Sequence, residues 1–208
     1  YAADTWLGTW ATSEQLVEQR NLPPAPGLGD TTLRQTVHVT IGGSQIRVHL
    51  SNVFGAVPLD IEAAHVALPN GPAQIDTSTD HALTFAKAGS VTIPSGAEVA
   101  SDPTNFKLAP GSDLDITIYV KDPTTTITGH PGSRTTSYLL TGNSVTAASL
   151  TGATTTAHWY YISEVDVPAK GNAAVVTLGD SITDGRGSTT DGNDRWPDAF
   201  SRLLRVDP

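Results

Sequence analysis

Cysteine is absent from all 208 residues. That absence removes disulfides, zinc–thiolate centres and thiol nucleophiles, and leaves packing to hold the fold together. Also missing is any apolar stretch near the ~18 residues that a membrane-spanning helix requires, so no membrane span is expected. Positive charge is scarce. Twelve Lys and Arg stand against 21 Asp and Glu, giving a formal net charge of −9 and a pI near 4.9, and the cations are scattered along the chain. A surface that grips phosphates concentrates Lys and Arg, so nucleic acid is not an expected partner. No Asn-x-Ser/Thr sequon occurs.

What is present is the composition of a globular protein, 38% hydrophobic and 16% charged, in a chain long enough to bury a sizeable core. The sequence opens at Tyr1 rather than Met and is rich in Thr, Gly and Ser. These features predict an exported, extracellular protein from which a signal peptide has been removed.

From Tyr1 to about Val167 the pattern is one of short strands separated by turn residues. Val37, Val39 and Ile41 alternate before Gly42-Gly43, and Ile46, Val48 and Leu50 alternate after it, which predicts a hairpin with one buried face on each strand. Leu114, Ile116, Ile118 and Val120 alternate again, and the shorter run of Val91 and Ile93 ends at Pro94-Ser95-Gly96. Many short strands spaced by Gly, Pro and Asp predict a two-sheet β-sandwich of jelly-roll type over residues 1–167.

The character changes over Val165 to Asn172, where VDVPAKGN carries a Pro and a Gly and predicts an interdomain linker. Ala173 to Leu178 then form a continuous run of small and branched apolar residues, as expected of a strand buried on both faces of a parallel sheet. After a loop rich in Gly, Asp and Thr, Pro197 suits a first helical position, with Trp196, Phe200 and Leu203 or Leu204 at helical spacing. Residues 168–208 thus predict one β-α unit. A single unit cannot bury both faces of its strand, so the second domain is expected to be incomplete in this chain.

The segment Leu178-Gly179-Asp180-Ser181-Ile182-Thr183-Asp184-Gly185 lies at the carboxyl end of that expected strand, where open α/β sheets place their ligands. Gly179 permits close backbone approach, and Ser181 has both a hydroxyl that can attack and an N–H that can stabilise an oxyanion. This is not the G-x-S-x-G nucleophile elbow, because Thr183 stands where that motif needs Gly.

The block GDSIT following VVTL resembles the first signature block of the GDSL, or SGNH, hydrolases. The resemblance implies an α/β, flavodoxin-like hydrolase domain begun by this β-α unit. It implies Ser181 as nucleophile, the Ser181 N–H as one oxyanion donor, and Asp180 as a supporting residue rather than the triad acid. The family's other oxyanion donors, a Gly and an Asn, and its D-x-x-H segment have no counterpart here. The first domain is also similar to the β-sandwiches that precede SGNH domains in bacterial and fungal esterases, through Trp6-Leu7-Gly8-Thr9-Trp10-Ala11-Thr12-Ser13, Ser51-Asn52-Val53-Phe54-Gly55 and Thr128-Gly129-His130-Pro131-Gly132. Several such esterases are linked to deacetylation of plant polysaccharides. Those segments have an ordinary explanation too, since Trp packs cores and Gly, Pro and Asn build turns.

All six His precede Ser181. His130, in a loop flanked by Gly and Pro, is the best local candidate for a substrate-facing or interface residue, or for a base donated across the domain boundary. His38 and His49 lie in the hairpin pattern and are expected to face solvent. Asp184, Asp191, Asp194 and Asp198 match no calcium loop, and turn or helix-start roles account for them, so no metal is expected. In His158-Trp159-Tyr160-Tyr161, alternation puts Trp159 and Tyr161 on one face and Tyr160 on the other, so at least part of the group belongs to the core.

The expected function is hydrolysis of a carboxylic ester through an acyl-enzyme on Ser181, with no cofactor. The resemblance favours O-acetyl groups on carbohydrate, with short-chain acyl esters or lipids next. The catalytic His and Asp are expected outside this chain, with a second chain carrying the C-terminal remainder favoured over a chain cut short. The competing expectation is a carbohydrate-binding β-sandwich followed by an inactive fragment of an enzyme.

Overall fold

A computed structural model describes residues 5–169 and 171–206. The protein is mostly β-sheet, with one α-helix among the described residues, consistent with a β-sandwich. Its strands are β1 (Trp6–Ala11), β2 (Gln15–Leu16), β3 (Thr31–His38), β4 (Gly43–Ser51), β5 (Leu59–Ala67), β6 (His81–Ala82), β7 (Val91–Ile93) and β8 (Glu98–Ala100). They continue as β9 (Thr104–Leu108), β10 (Asp113–Val120), β11 (Thr128–Pro131), β12 (Ser137–Thr141), β13 (Thr154–Thr156), β14 (His158–Tyr160) and β15 (Ile162–Pro168), and the helix α1 spans Trp196–Val206.

One sheet runs β1-β15-β4-β8, with β9 also on β4. The other runs β13-β12-β3-β10-β5-β6, with β7 also on β5, and a small third sheet runs β14-β11-β2. Val48, Leu50, Val165 and Val167 from the first sheet join Leu33, Val37, Leu114, Ile116 and Ile118 from the second in one hydrophobic cluster. The alternating residues therefore bury their apolar faces as their spacing predicts.

The expected hairpin at Gly42-Gly43 does not form. β3 pairs with β10 and β12, while β4 pairs with β15, β8 and β9, so the chain crosses from one sheet to the other between His38 and Gly43. Alternation is the same for a hairpin and for such a crossing, because both point one face of each strand at a core. Gly42 allows the crossing, since a Cβ there would collide with the Leu108 carbonyl. Thr9 holds it, donating to the Ile41 carbonyl at 2.6 Å and accepting from the Ile41 amide at 2.9 Å.

β10 is buried on both faces, since Asp115 and Thr117 on its other side are 2% exposed. The cover is held by Arg34, wholly buried, which donates to Thr117 Oγ1 at 3.0 Å and to the carbonyls of Ala73 at 2.9 Å and Ala147 at 2.8 Å. Its planar fork satisfies acceptors on two separate loops at once.

Two further sequence expectations are corrected. The proposed linker begins later, because Val165–Pro168 belong to β15 and pair with β1, with Val165 and Val167 in the core; Lys170 of that segment lies outside the described residues. Ala173–Leu178 make no strand pairing, and Val176 and Leu178 are 89% and 99% exposed. A parallel strand exists only with neighbours to bond, and the described residues supply none beside this run. The described residues thus show no α/β unit around this run, although α1 occupies the expected residues.

Candidate active site

Ser181 lies on an exposed loop of consecutive turns over residues 180–188. The Asp180 carboxylate accepts from the Ile182 amide at 2.9 Å, an ordinary use of Asp at a turn. The Asp184 amide donates to the Asp180 carbonyl at 3.0 Å, and the Arg186 amide donates to the Ser181 carbonyl at 2.7 Å. Ser181 is therefore enclosed by hydrogen bonds of its own loop. Among the described residues its hydroxyl engages no partner.

The loop is tied to the sandwich through His130, on β11 opposite Trp159 of β14. His130 Nδ1 donates to the Ser13 carbonyl at 2.7 Å, and Nε2 donates to Asp184 Oδ1 at 2.6 Å. Both ring nitrogens thus face acceptors, which only the imidazolium satisfies. Burial of the ring depresses its pKa, but the bonds to Asp184 and Ser13 and the charge of Asp184 outweigh this and leave it raised. His158 behaves oppositely. Its Nδ1 accepts from the Gly132 amide at 2.9 Å, and burial, with the neighbouring His130, lowers its pKa.

Arg195 supports the same junction. Its guanidinium donates to the Ser133 carbonyl and lies 5.8 Å from the Trp159 ring centroid, while His130 lies 5.8 Å from Trp159 on an inclined plane. Gly185, at φ +99°, fits beneath the Arg195 stem, where a Cβ would come within 2.7 Å of Cγ. Trp159 is buried, donating from Nε1 to the Thr36 carbonyl at 3.1 Å and meeting Trp10 edge-on at 4.9 Å.

Of the residues singled out from sequence, His130 sits at the interface with the loop that carries Ser181, with both ring nitrogens engaged by Ser13 and Asp184. Asp194 and Asp198 take turn and helix-start roles, accepting from the Thr189 and Arg195 amides at 2.9 and 3.0 Å, whereas the side chains of Asp191 and Asp184 bond the sandwich. Asp191 accepts from the amide and hydroxyl of Thr136 at 2.6 and 2.7 Å, and Asp184 holds His130. Trp159, Tyr160 and Tyr161 are all buried, so the whole group belongs to the core. Tyr161, at φ +63°, leaves the extended conformation as the chain passes from β14 to β15, so alternation does not carry across it. No local signal marks Asp184 or Arg195 as contacts of the sandwich, because their partners His130 and Ser133 lie 54 and 62 residues away.

His38 and His49 are largely covered rather than solvent-facing. His38 Nδ1 is 2.7 Å from Asp113 Oδ1, at the edge of a cleft of about 300 Å³ that is also lined by Asp115, Tyr138 and Asp191. His49 lies between Glu98 and Asp166, each at 3.0 Å. His49, Glu164 and Asp166 bring potential ligand atoms within 4.8 Å of one another. Arg47 bonds Asp166, however, and both His49 nitrogens are engaged, so the group is arranged as an ion-pair network. No protein-family model matches the chain, and a search of curated proteins returns no match.

Proposed function

We propose that this chain is a β-sandwich joined to the nucleophile segment of an SGNH-type serine ester hydrolase, in which Ser181 attacks an ester carbonyl. The observation that carries the reading is the GDSIT segment on an exposed loop, with the Ser181 hydroxyl unengaged among the described residues. In the reaction the Ser181 oxygen adds to the carbonyl, the alcohol leaves with a proton, and water then releases the acid from the acyl-enzyme. The Ser181 N–H is one oxyanion donor, and Asp180 shapes the turn that presents it.

The proton acceptor and the triad acid come from outside residues 1–208, on elements that pack against the apolar side chains of Val176, Leu178, Trp196, Phe200 and Leu203. Each of these is exposed, and large apolar side chains gathered on a surface ordinarily belong to an interface. Acetyl esters of carbohydrates are the favoured substrates, by the resemblance described above.

Turnover of 4-nitrophenyl acetate by the enzyme carrying this chain tests the reading. Ser181→Ala is expected to reduce the rate to that of buffer, and activity that survives the change overturns it, leaving a carbohydrate-binding sandwich as the alternative.

A further inference from the structure

We propose that His130 is a positioning residue of the nucleophile loop: as the imidazolium it clamps Asp184 to the β-sandwich, and through Asp184 it fixes the peptide that carries Ser181. The inference rests on the assignment of Ser181 as nucleophile for its catalytic meaning, but the clamp itself can be measured without it.

Three observations build the clamp. First, the two acceptors on His130 come from different parts of the chain, the Ser13 carbonyl in the sandwich and the Asp184 carboxylate in the loop, so the protonated ring bridges them and the neutral ring cannot hold both. Second, the loop transmits position. The Asp184 amide is bonded to the Asp180 carbonyl, and the Arg186 amide to the Ser181 carbonyl, so moving Asp184 moves the segment around Ser181. Third, the ring is held in place, buried and inclined beside Trp159 at 5.8 Å between ring centroids, and that indole is anchored to Thr36 and Trp10.

The charged and titratable groups facing His130 are Asp184 on the loop, Arg195 before α1, Glu14 ahead of β2, and His158 on β14. Arg195 opposes the imidazolium and the charge of Asp184, which is bonded to it, favours it, while burial pushes the Glu14 carboxyl up to about 7, so that its charge joins only as pH rises past neutral. A His whose pKa is raised in the folded state contributes stability that is complete below its ordinary pKa and is lost as pH rises through the raised one. The clamp is therefore closed in acid and released in alkali.

Amide hydrogen exchange of the 208-residue chain, read as protection factors across residues 181–188, tests the clamp. Below neutral pH, His130→Gln and Asp184→Asn should each lower protection about tenfold, the scale of one charge-assisted hydrogen bond, and the double variant should lower it no further. In the parent chain, protection should fall as pH rises, and in Asp184→Asn this fall should vanish. Asp184→Asn keeps the loop's own backbone bonds and leaves the sandwich core untouched, so it stands if His130→Gln impairs folding. Unchanged protection in Asp184→Asn, or a pH dependence that persists in it, overturns the proposal. In the enzyme carrying this chain, Asp184→Asn should flatten the alkaline limb of the kcat profile while the Ser181→Ala control remains inactive. Activity in that control overturns the assignment of Ser181 without touching the exchange result.

Discussion

Thr9 and Ile41 lie 32 residues apart, yet one hydroxyl serves both main-chain groups of Ile41, donating to its carbonyl and accepting from its amide. Thr9 is buried at an irregularity in the β1–β15 ladder, so its side chain substitutes for a strand partner where the chain leaves β3. Thr9→Val keeps the shape and removes the hydroxyl. It should cost about 2 kcal/mol, the penalty of leaving a covered peptide group unsatisfied, while Thr9→Ser should cost less than half of that. Urea unfolding midpoints at constant m-value check the pair.

Arg34 makes a second long-range connection, joining the loop at Ala73 to the loop at Ala147 across the outer side of β3 and β10. Arg34→Lys cannot supply the same fork and leaves at least one of these carbonyls without its donor. The expected loss is about 2–4 kcal/mol. Faster exchange of the Ile75 and Leu150 amides, which donate to the Ala148 and Ala73 carbonyls, should accompany it. Equal slowing or quickening throughout the sandwich would instead signal a global effect.

Asp115 supplies a pH dependence of opposite origin to the clamp. Burial pushes its carboxyl up to about 6, against the bond from Thr36 and the charge of Arg34, with Asp113 adding to the rise. An acid raised in the folded state favours folding when protonated, so its contribution is complete below about 4 and is lost as pH climbs to about 6. Asp115→Asn keeps an acceptor for the Thr36 hydroxyl, which lies 2.6 Å away. It should therefore stabilise the protein at pH 7.5 by on the order of 2 kcal/mol and give no gain at pH 4. Denaturant titrations at the two pH values supply the comparison.

The strands were legible where one face meets the core, as at Val37, Ile46, Leu114 and Val120, because a period of two depends only on the strand's own residues. Strand partners were not. The crossing at Gly42 depends on Thr9 and on the Leu108 carbonyl, which no local pattern announces. Within the candidate site, Ser181 and Asp180 were legible from a short contiguous motif. The partnership of His130 with Asp184 was not, since it spans 54 residues and joins a turn-type Asp to a His in a Gly/Pro segment. The reading of Ala173–Leu178 shows the converse limit: an apolar run records the burial it needs, not whether neighbours are present to supply it.

That last segment yields a contrast in stability. Val176 and Leu178 are 89% and 99% exposed, whereas Val165, equally apolar, is wholly buried between β1 and β4. Val165→Ala should cost about 2 kcal/mol, by removing buried carbon and leaving a small cavity. Val176→Ser and Leu178→Ser together should shift the unfolding free energy by no more than about 0.5 kcal/mol, because among the described residues these side chains are almost wholly exposed. If these side chains serve as the seat for the remaining hydrolase elements, the same pair should weaken assembly of the enzyme and reduce binding of an apolar dye to this chain. A loss of stability matching that of Val165→Ala would place Val176 and Leu178 in the sandwich core and remove the apolar face from the proposed assembly.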